Sequence, residues 1–289
     1  MSAIITNSAT SAAASAGAAA GARAPAGRRA LQLGEFRGLT LWVGGVFVFL
    51  YFPICVLIVY SFNESRFAMN WTGLSIDWYG RALSNRAART AALNSLIVAT
   101  CATVMATTVA TAAALVLARA RQFRGKSAAL GLMALPILVP EIVTAIATLI
   151  FFSTLGIRLG LGNLIIAHTV FCIPFAFMPI RARLQGMDTA LEAAARDLYA
   201  TPWQSFRLVT LPLLAPGIMA GAMLAFVISL DDFIISLMVA DAGSTTLPVY
   251  IYSMIRFGIT PEINAISTML FAVSVSLVSV YWLLSRPRR

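Results

Sequence analysis

Three carboxylates stand inside long apolar stretches of this chain, Glu141, Asp231 and Asp232. A carboxylate at the bilayer centre costs at least about 2.5–3.5 kcal/mol on insertion scales, so each is expected to face a cavity or a partner rather than lipid. Glu141 follows Pro140, near the start of a restarted helix whose dipole favours an anion, and Thr144 and Thr148 extend a polar stripe at i+3 and i+7. Adjacent helical residues diverge by about 100°, so Asp231 and Asp232 are expected to point apart. Asp232 shares a face with Ser229 and Ser236, and Asp231 with Val227, Ile228, Ile234, Ile235 and Met238. The chemistry on offer is attraction of a cation along a path lined by Asp232 and Glu141, with Asp231 turned toward a neighbouring subunit. The plainer alternative is that all three acids make structural pairs with Arg, Ser or Thr. Tyr250, Tyr252, Phe257, Trp71 and Trp78 offer cation–π faces to an amine, or else serve as headgroup-belt anchors and packing.

Other chemistries find no support in the residues. Arg124-Gly125-Lys126-Ser127 contains a GKS, but a phosphate loop needs a glycine five positions before Gly125, where Ala120 stands, and no buried strand precedes it. The chain is therefore not expected to hydrolyse ATP in that manner. Ser/His/Asp, Cys/His and HExxH arrangements are missing, so it does not read as an enzyme, and no metal is expected. Cys55, Cys101 and Cys172 lack ligand spacing and read as small packing residues. His168 stands alone near the start of a span, and a satisfied or interfacial histidine suits it better than a ligand.

The elements that must hold these acids follow from composition. A chain that is 60% hydrophobic and 11% charged is an integral membrane protein. Runs long enough to cross about 30 Å of hydrocarbon are expected at 39–60, 91–118, 128–155, 164–180, 213–240 and 263–284. Lipid forces backbone pairing within each segment, so the fold class is all-α with six transmembrane helices. Pro136 and Pro140 in the third span, and Pro174 and Pro179 in the fourth, predict kinks or breaks. The aspartates fall about 18 residues into the fifth span, roughly 27 Å from its start at 1.5 Å per residue.

A net charge of +10 invites a nucleic-acid partner, but the positions of the charges argue for orientation instead. With both termini in the cytoplasm, 15 of the 21 Lys and Arg residues fall inside and 6 outside, as the positive-inside rule requires. Residues 1–36, rich in Ala, Ser and Gly, are expected to be a disordered cytoplasmic tail, and 37–289 one membrane domain.

Between the fourth and fifth spans lies a polar helix–turn–helix, EAAARDLYATPWQSFRLVTLP at 192–212. Asp188 is placed to cap its first helix, and Leu191, Ala194, Ala195 and Leu198 form a narrow face at i, i+3, i+4, i+7. Thr201 with Gln204 makes a capping box around Pro202, and Pro212 is expected to close the unit before the next apolar run. Apolar and cationic side chains together suggest a docking surface for a soluble partner. The segment resembles the EAA loop of ABC importer permease subunits: Ala194 and Ala195 match its two alanines, and Val209, Leu211 and Pro212 its ending. Its Glu falls on Ala193, with Glu192 one residue early, and its Gly on Tyr199, where a left-handed turn costs a non-glycine residue roughly 1–2 kcal/mol.

Leu135-Pro136…Pro140-Glu141-Ile142-Val143, Ser229-Leu230-Asp231-Asp232-Phe233 and Thr245-Thr246-Leu247-Pro248-Val249-Tyr250-Ile251-Tyr252-Ser253 resemble the second permease of spermidine/putrescine importers. The resemblance implies the type I importer permease fold in a bacterial inner membrane, with a coupling loop at 181–212 carrying Glu192, Ala194, Ala195, Tyr199, Leu211 and Pro212. It implies a second, different permease subunit, a cytoplasmic ATPase dimer that binds the ATP, an extracytoplasmic solute-binding protein, and no cofactor on this chain. Polyamine is the expected cargo. Another small organic solute of the same importer subgroup is the nearest alternative. A stand-alone channel or carrier would leave the loop at 188–211 without a purpose, and a non-transporting scaffold would leave the mid-span acids as an unexplained cost.

Overall fold

The computed structural model describes residues 37–65, 70–119, 124–157, 160–241, 243–256, 258 and 260–285, so the tail reading for 1–36 lies outside the described residues. The chain divides into two compact units, 1–55 and 56–289. Most of the apolar helix α1 (Arg37–Tyr60) belongs to the first, and its stretch Gly38–Tyr60 has a mean hydropathy of 2.4.

In the second unit, the polar stretch after α1 is pinned by its own hydrogen bonds. Trp78 Nε1 donates to the Asn63 carbonyl at 2.8 Å, and the Ser61 and Tyr79 hydroxyls meet at 2.6 Å. This pins the amphipathic helix α2 (Asp77–Ser84), which leads into α3 (Arg86–Arg119), to that stretch. Helix α3 carries a stripe of fully buried alanines, Ala99, Ala102, Ala106, Ala110 and Ala114. Small side chains at this spacing let a neighbouring backbone approach, which is how helices associate where lipid removes the hydrophobic drive between them.

The expected third span is two helices, α4 (Lys126–Leu138) and α5 (Glu141–Thr154), bent by 106°. Pro140 supplies no N–H and forces Val139 into an extended conformation (φ −82°, ψ 136°), so the helix stops and restarts at Glu141. Helix α6 (Leu161–Gln185), by contrast, runs through Pro174 and Pro179 without a break. It is the most buried of the apolar helices and contributes Leu164, Ala167, Phe171, Cys172, Ala176, Phe177 and Ile180 to the core.

Next come α7 (Ala190–Asp197), the single turn α8 (Pro202–Ser205), a π-helical turn at Phe206–Thr210, and α9 (Leu211–Asp231). Pro212 does not end the loop as its residue type suggested. The helix is continuous over the 30 residues Pro202–Asp231. The wide turn just before Pro212, where Leu211 N bonds back to the Phe206 carbonyl, makes room for a residue that would otherwise clash with the preceding turn. The fifth span also ends earlier than the expected 240: α9 stops at Asp231, and α10 (Ile234–Val239) restarts after two residues. Helix α11 (Leu247–Arg256) and the long α12 (Pro261–Ser285) complete the described residues. Among these, five helices are long and apolar enough to cross a membrane, and the bent pair α4–α5 brings the number to six.

Two glycines let α9 lie against α6. A Cβ on Gly221 would sit 2.6 Å from the Ala176 carbonyl oxygen, and one on Gly217 would sit 2.5 Å from Arg183 Cβ. Gly221→Val should therefore destabilise the folded protein by about 1–3 kcal/mol through overpacking. Gly131→Ala in α4, with no neighbour within 4 Å, should leave stability unchanged or raise it by up to about 1 kcal/mol. Thermal unfolding of the two variants in detergent checks the contrast.

Candidate functional site

The break between α9 and α10 leaves irregular backbone at a depth where the flanking sequence is apolar, and every exposed polar group there needs an internal partner. Asp232 itself is extended (φ −63°, ψ 127°), and its Oδ2 accepts the Ser236 N–H in the first turn of α10 at 2.9 Å. At the other end of α10, Asn163 Nδ2 donates to the Val239 carbonyl at 3.0 Å. Asn94 Nδ2 donates to the carbonyls of Gly243 and Thr245, each at 3.0 Å, and the Leu247 N–H donates to Ser95 Oγ at 2.8 Å. Asn94, Ser95 and Asn163 are buried. Their task is to satisfy the backbone of a segment that is not a spanning helix.

His168 is the centre of the cluster, with a relative exposure of 1%. Its Nδ1 lies 2.8 Å from Ser229 Oγ, its Nε2 lies 3.1 Å from Ser236 Oγ, and Nε2 also lies 3.4 Å from Asp232 Oδ2. A hydroxyl can donate or accept, so either tautomer of the ring is satisfied by the two serines. One imidazole on α6 thus touches the residue three before Asp232, Asp232 itself, and the residue four after it. Glu141, at the first position of α5, lies beside Asp232, and Asp232 Oδ1 is buried without a hydrogen-bond partner.

The sequence-predicted residues are distributed as follows. Glu141 and Asp232 are brought together. Ser229 joins Asp232 through His168, and Ser236 does so both through His168 and by its own N–H, but not on one continuous helical face, because α9 ends between them. Asp231 points elsewhere, into a cavity of about 280 Å³ with Phe233, Pro248, Ile251 and Tyr252, and with Ser274 of α12 beside it. Thr144 and Thr148 line a separate cavity of about 410 Å³ with Phe151, Ala167 and Val170. Of the aromatic candidates, Trp78 lies under Arg81 at 4.7 Å and Tyr252 under Arg256 at 5.5 Å, so both faces already hold a cation of the same chain. Phe257 lies outside the described residues. His168 was visible only as a lone polar residue in an apolar span. Its role depends on residues 61 and 68 positions away, which no local pattern joins to it.

The polar loop forms a second candidate surface. Asp188 Oδ1 accepts the Ala190 N–H at 2.8 Å and starts α7, and Thr201 and Gln204 make the reciprocal capping box around Pro202. Glu192 Oε1 accepts from Thr210 Oγ1 at 2.7 Å, tying α7 to the π turn. Tyr199 has φ +60°, the single non-glycine residue with positive φ among those described, and is 95% exposed. Leu191, Ala194, Leu198, Trp203 and Leu208 are exposed on the same loop. Ala195 is half-buried, whereas Leu211 and Pro212 lie at the start of α9.

Residues 106–289 match the family described as binding-protein-dependent transport system inner membrane component. The chain is 38% identical over 243 residues to the spermidine/putrescine transport system permease protein PotC of Escherichia coli (strain K12), covering 84% of this chain and 92% of that one. It is 37% identical over 250 residues to the putrescine transport system permease protein PotI of the same strain, covering 84% and 89%. Among solved structures, a bacterial alginate ABC transporter in complex with its pentasaccharide-bound periplasmic protein has a chain of similar fold. The TM-score is 0.68 at 17% identity, over 87% of this chain and 93% of that one.

The strain at Tyr199 is measurable. Tyr199→Gly relieves a left-handed conformation worth roughly 1–2 kcal/mol, partly offset by the entropy of glycine, for a net gain near 1 kcal/mol. Thr201→Ala removes the cap beside it and should cost about 1 kcal/mol. Opposite shifts in the thermal midpoints of the two variants are the expected result.

Proposed function

The chain belongs to the family of binding-protein-dependent transport system inner membrane components and is a permease subunit of an ABC importer, and from that premise we propose that it carries polyamines into the cytoplasm past Asp232 and Glu141. The observation that carries this reading is the acid pair itself. Asp232 keeps one buried oxygen without a partner, Glu141 stands beside it, and the small polar cluster they form with His168, Ser229 and Ser236 is set among buried apolar side chains. A carboxylate in a low-dielectric path attracts an ammonium far more strongly than in water, and desolvation of both partners limits the net gain. Release requires that binding stay weak, which suits one or two acids better than a closed cage. The similarity to PotC and PotI supports the choice of cargo.

The distribution of lysine and arginine supports an orientation with both termini and the loop at 181–212 in the cytoplasm. There the exposed Leu191, Ala194, Leu198, Tyr199, Trp203 and Leu208 form a surface for the ATPase that binds and hydrolyses ATP. A different permease subunit completes the path, and an extracytoplasmic binding protein delivers the cargo.

Ala194→Asp would bury an unpaired charge in the docking interface, a cost of several kcal/mol. It should abolish both co-purification of the ATPase and uptake while membrane insertion stays normal; retained co-purification and uptake would remove the loop from the interface. Asp232→Asn keeps size and hydrogen bonding and removes the charge. In complexes of normal yield and basal ATPase activity it should lower polyamine uptake about tenfold or more. Full uptake in both Asp232→Asn and Glu141→Gln would make these acids structural and favour a neutral cargo.

A further inference from the structure

We propose that His168 is the positioning residue of the path: it staples the interrupted span so that Asp232 presents a single oxygen, Oδ1, to the cargo. The inference rests on the reading of Asp232 as a path residue.

The geometry supplies each step. A span that stops at Asp231 and restarts at Ile234 has lost the helical ladder that would fix the residues between, and a carboxylate on such a segment is free to rotate unless something outside the segment holds it. Helix α6 provides the hold. The His168 ring contacts Ser229 on the last turn of α9 and Ser236 on the first full turn of α10, so the two halves are fixed relative to each other through one rigid side chain. The same Nε2 faces Asp232 Oδ2 at 3.4 Å, and the Ser236 N–H occupies that oxygen at 2.9 Å. Oδ2 is thereby committed to the protein, and Oδ1 is buried with no N–H or hydroxyl donor on it, the Glu141 carboxyl being the group beside Asp232. A lone acceptor oxygen suits an ammonium, a compact charge with three rotatable donors. A guanidinium, by contrast, binds best to both oxygens of a carboxylate at once.

Nothing in this arrangement requires His168 to touch the cargo, and it is buried by the groups it holds. Its effect is exerted through Asp232, and the two residues should act as one unit. Losing a residue that orients a ligand group costs about 10–100-fold in the comparable case of outer-shell partners at metal sites.

The test uses the complete complex in proteoliposomes, with the polyamine-loaded binding protein outside, and reads polyamine imported per ATP hydrolysed. His168→Ala should lower that ratio about tenfold, while the concentration of loaded binding protein that half-maximally stimulates the ATPase stays unchanged. His168→Gln, which can still accept from one serine and donate to the other, should recover most of the loss. The double variant His168→Ala/Asp232→Asn should be no worse than Asp232→Asn alone, since residues acting as a unit are not additive. An unchanged ratio in His168→Ala beside a deficient Asp232→Asn overturns the positioning role and leaves the path reading standing. So do losses that multiply in the double variant. An unchanged ratio in Asp232→Asn overturns the path reading and this inference with it. If His168→Ala does not assemble, Ser229→Ala, which removes the Nδ1 partner and keeps the ring, should give the reduced ratio, and a normal ratio there overturns the proposal.

Discussion

A polar backbone group buried among packed helices has no water to turn to, and the arrangement around residues 231–247 follows from that constraint. The chain leaves the helical ladder at Asp232, makes one short helix, and then runs irregularly until Leu247. Each departure exposes donors and acceptors: Asp232 itself takes the Ser236 N–H, Asn163 from α6 and Asn94 and Ser95 from α3 meet the backbone farther on, and His168 from α6 holds the two serine hydroxyls that flank the break. These residues tolerate burial because they are hydrogen-bonded, and the broken segment tolerates membrane depth because they are present. The exchange fixes α3, α6 and the interrupted span relative to one another. It also frees a carboxylate from structural duty at one of its two oxygens.

Much of this was legible in the residues. Apolar runs gave the spans, and proline chemistry gave the break at Val139-Pro140. The Thr201–Gln204 spacing gave the capping box, whereas the expected helical face of Ser229, Asp232 and Ser236 is replaced by contacts through His168 and the Ser236 N–H. The break after Asp231 was not legible, because Asp231-Asp232-Phe233-Ile234-Ile235 contains neither proline nor glycine and the apolar run continues on both sides. At the break Asp232 takes the Ser236 N–H four residues on and faces His168 from another helix, and the second of these contacts has no local signature. Asn94, Ser95 and Asn163 were unreadable for the same reason. A polar residue near the end of a span looks like surface until the backbone it serves is known.

The loop shows the opposite balance. Its hydrogen-bonding residues are nearly all local, so Asp188, Thr201 and Gln204 could be assigned from spacing alone. The exception is Pro212, where residue type pointed to a stop and the structure shows a continuous helix. A proline is tolerated in a helix when the preceding turn is wide enough to clear its ring, and the π turn at Phe206–Thr210 supplies that width.

That continuity has a mechanical meaning. Pro202–Asp231 is one rod of 30 residues, about 45 Å at 1.5 Å per residue, with the capped loop at one end and the interrupted acid at the other. A rod transmits push, tilt and twist along its axis without any relay of side chains. The exposed loop and the carboxylate deep among the helices therefore stand at the two ends of one continuous helix. Between those ends the helix is seated on α6 at the close seam of Gly217 and Gly221.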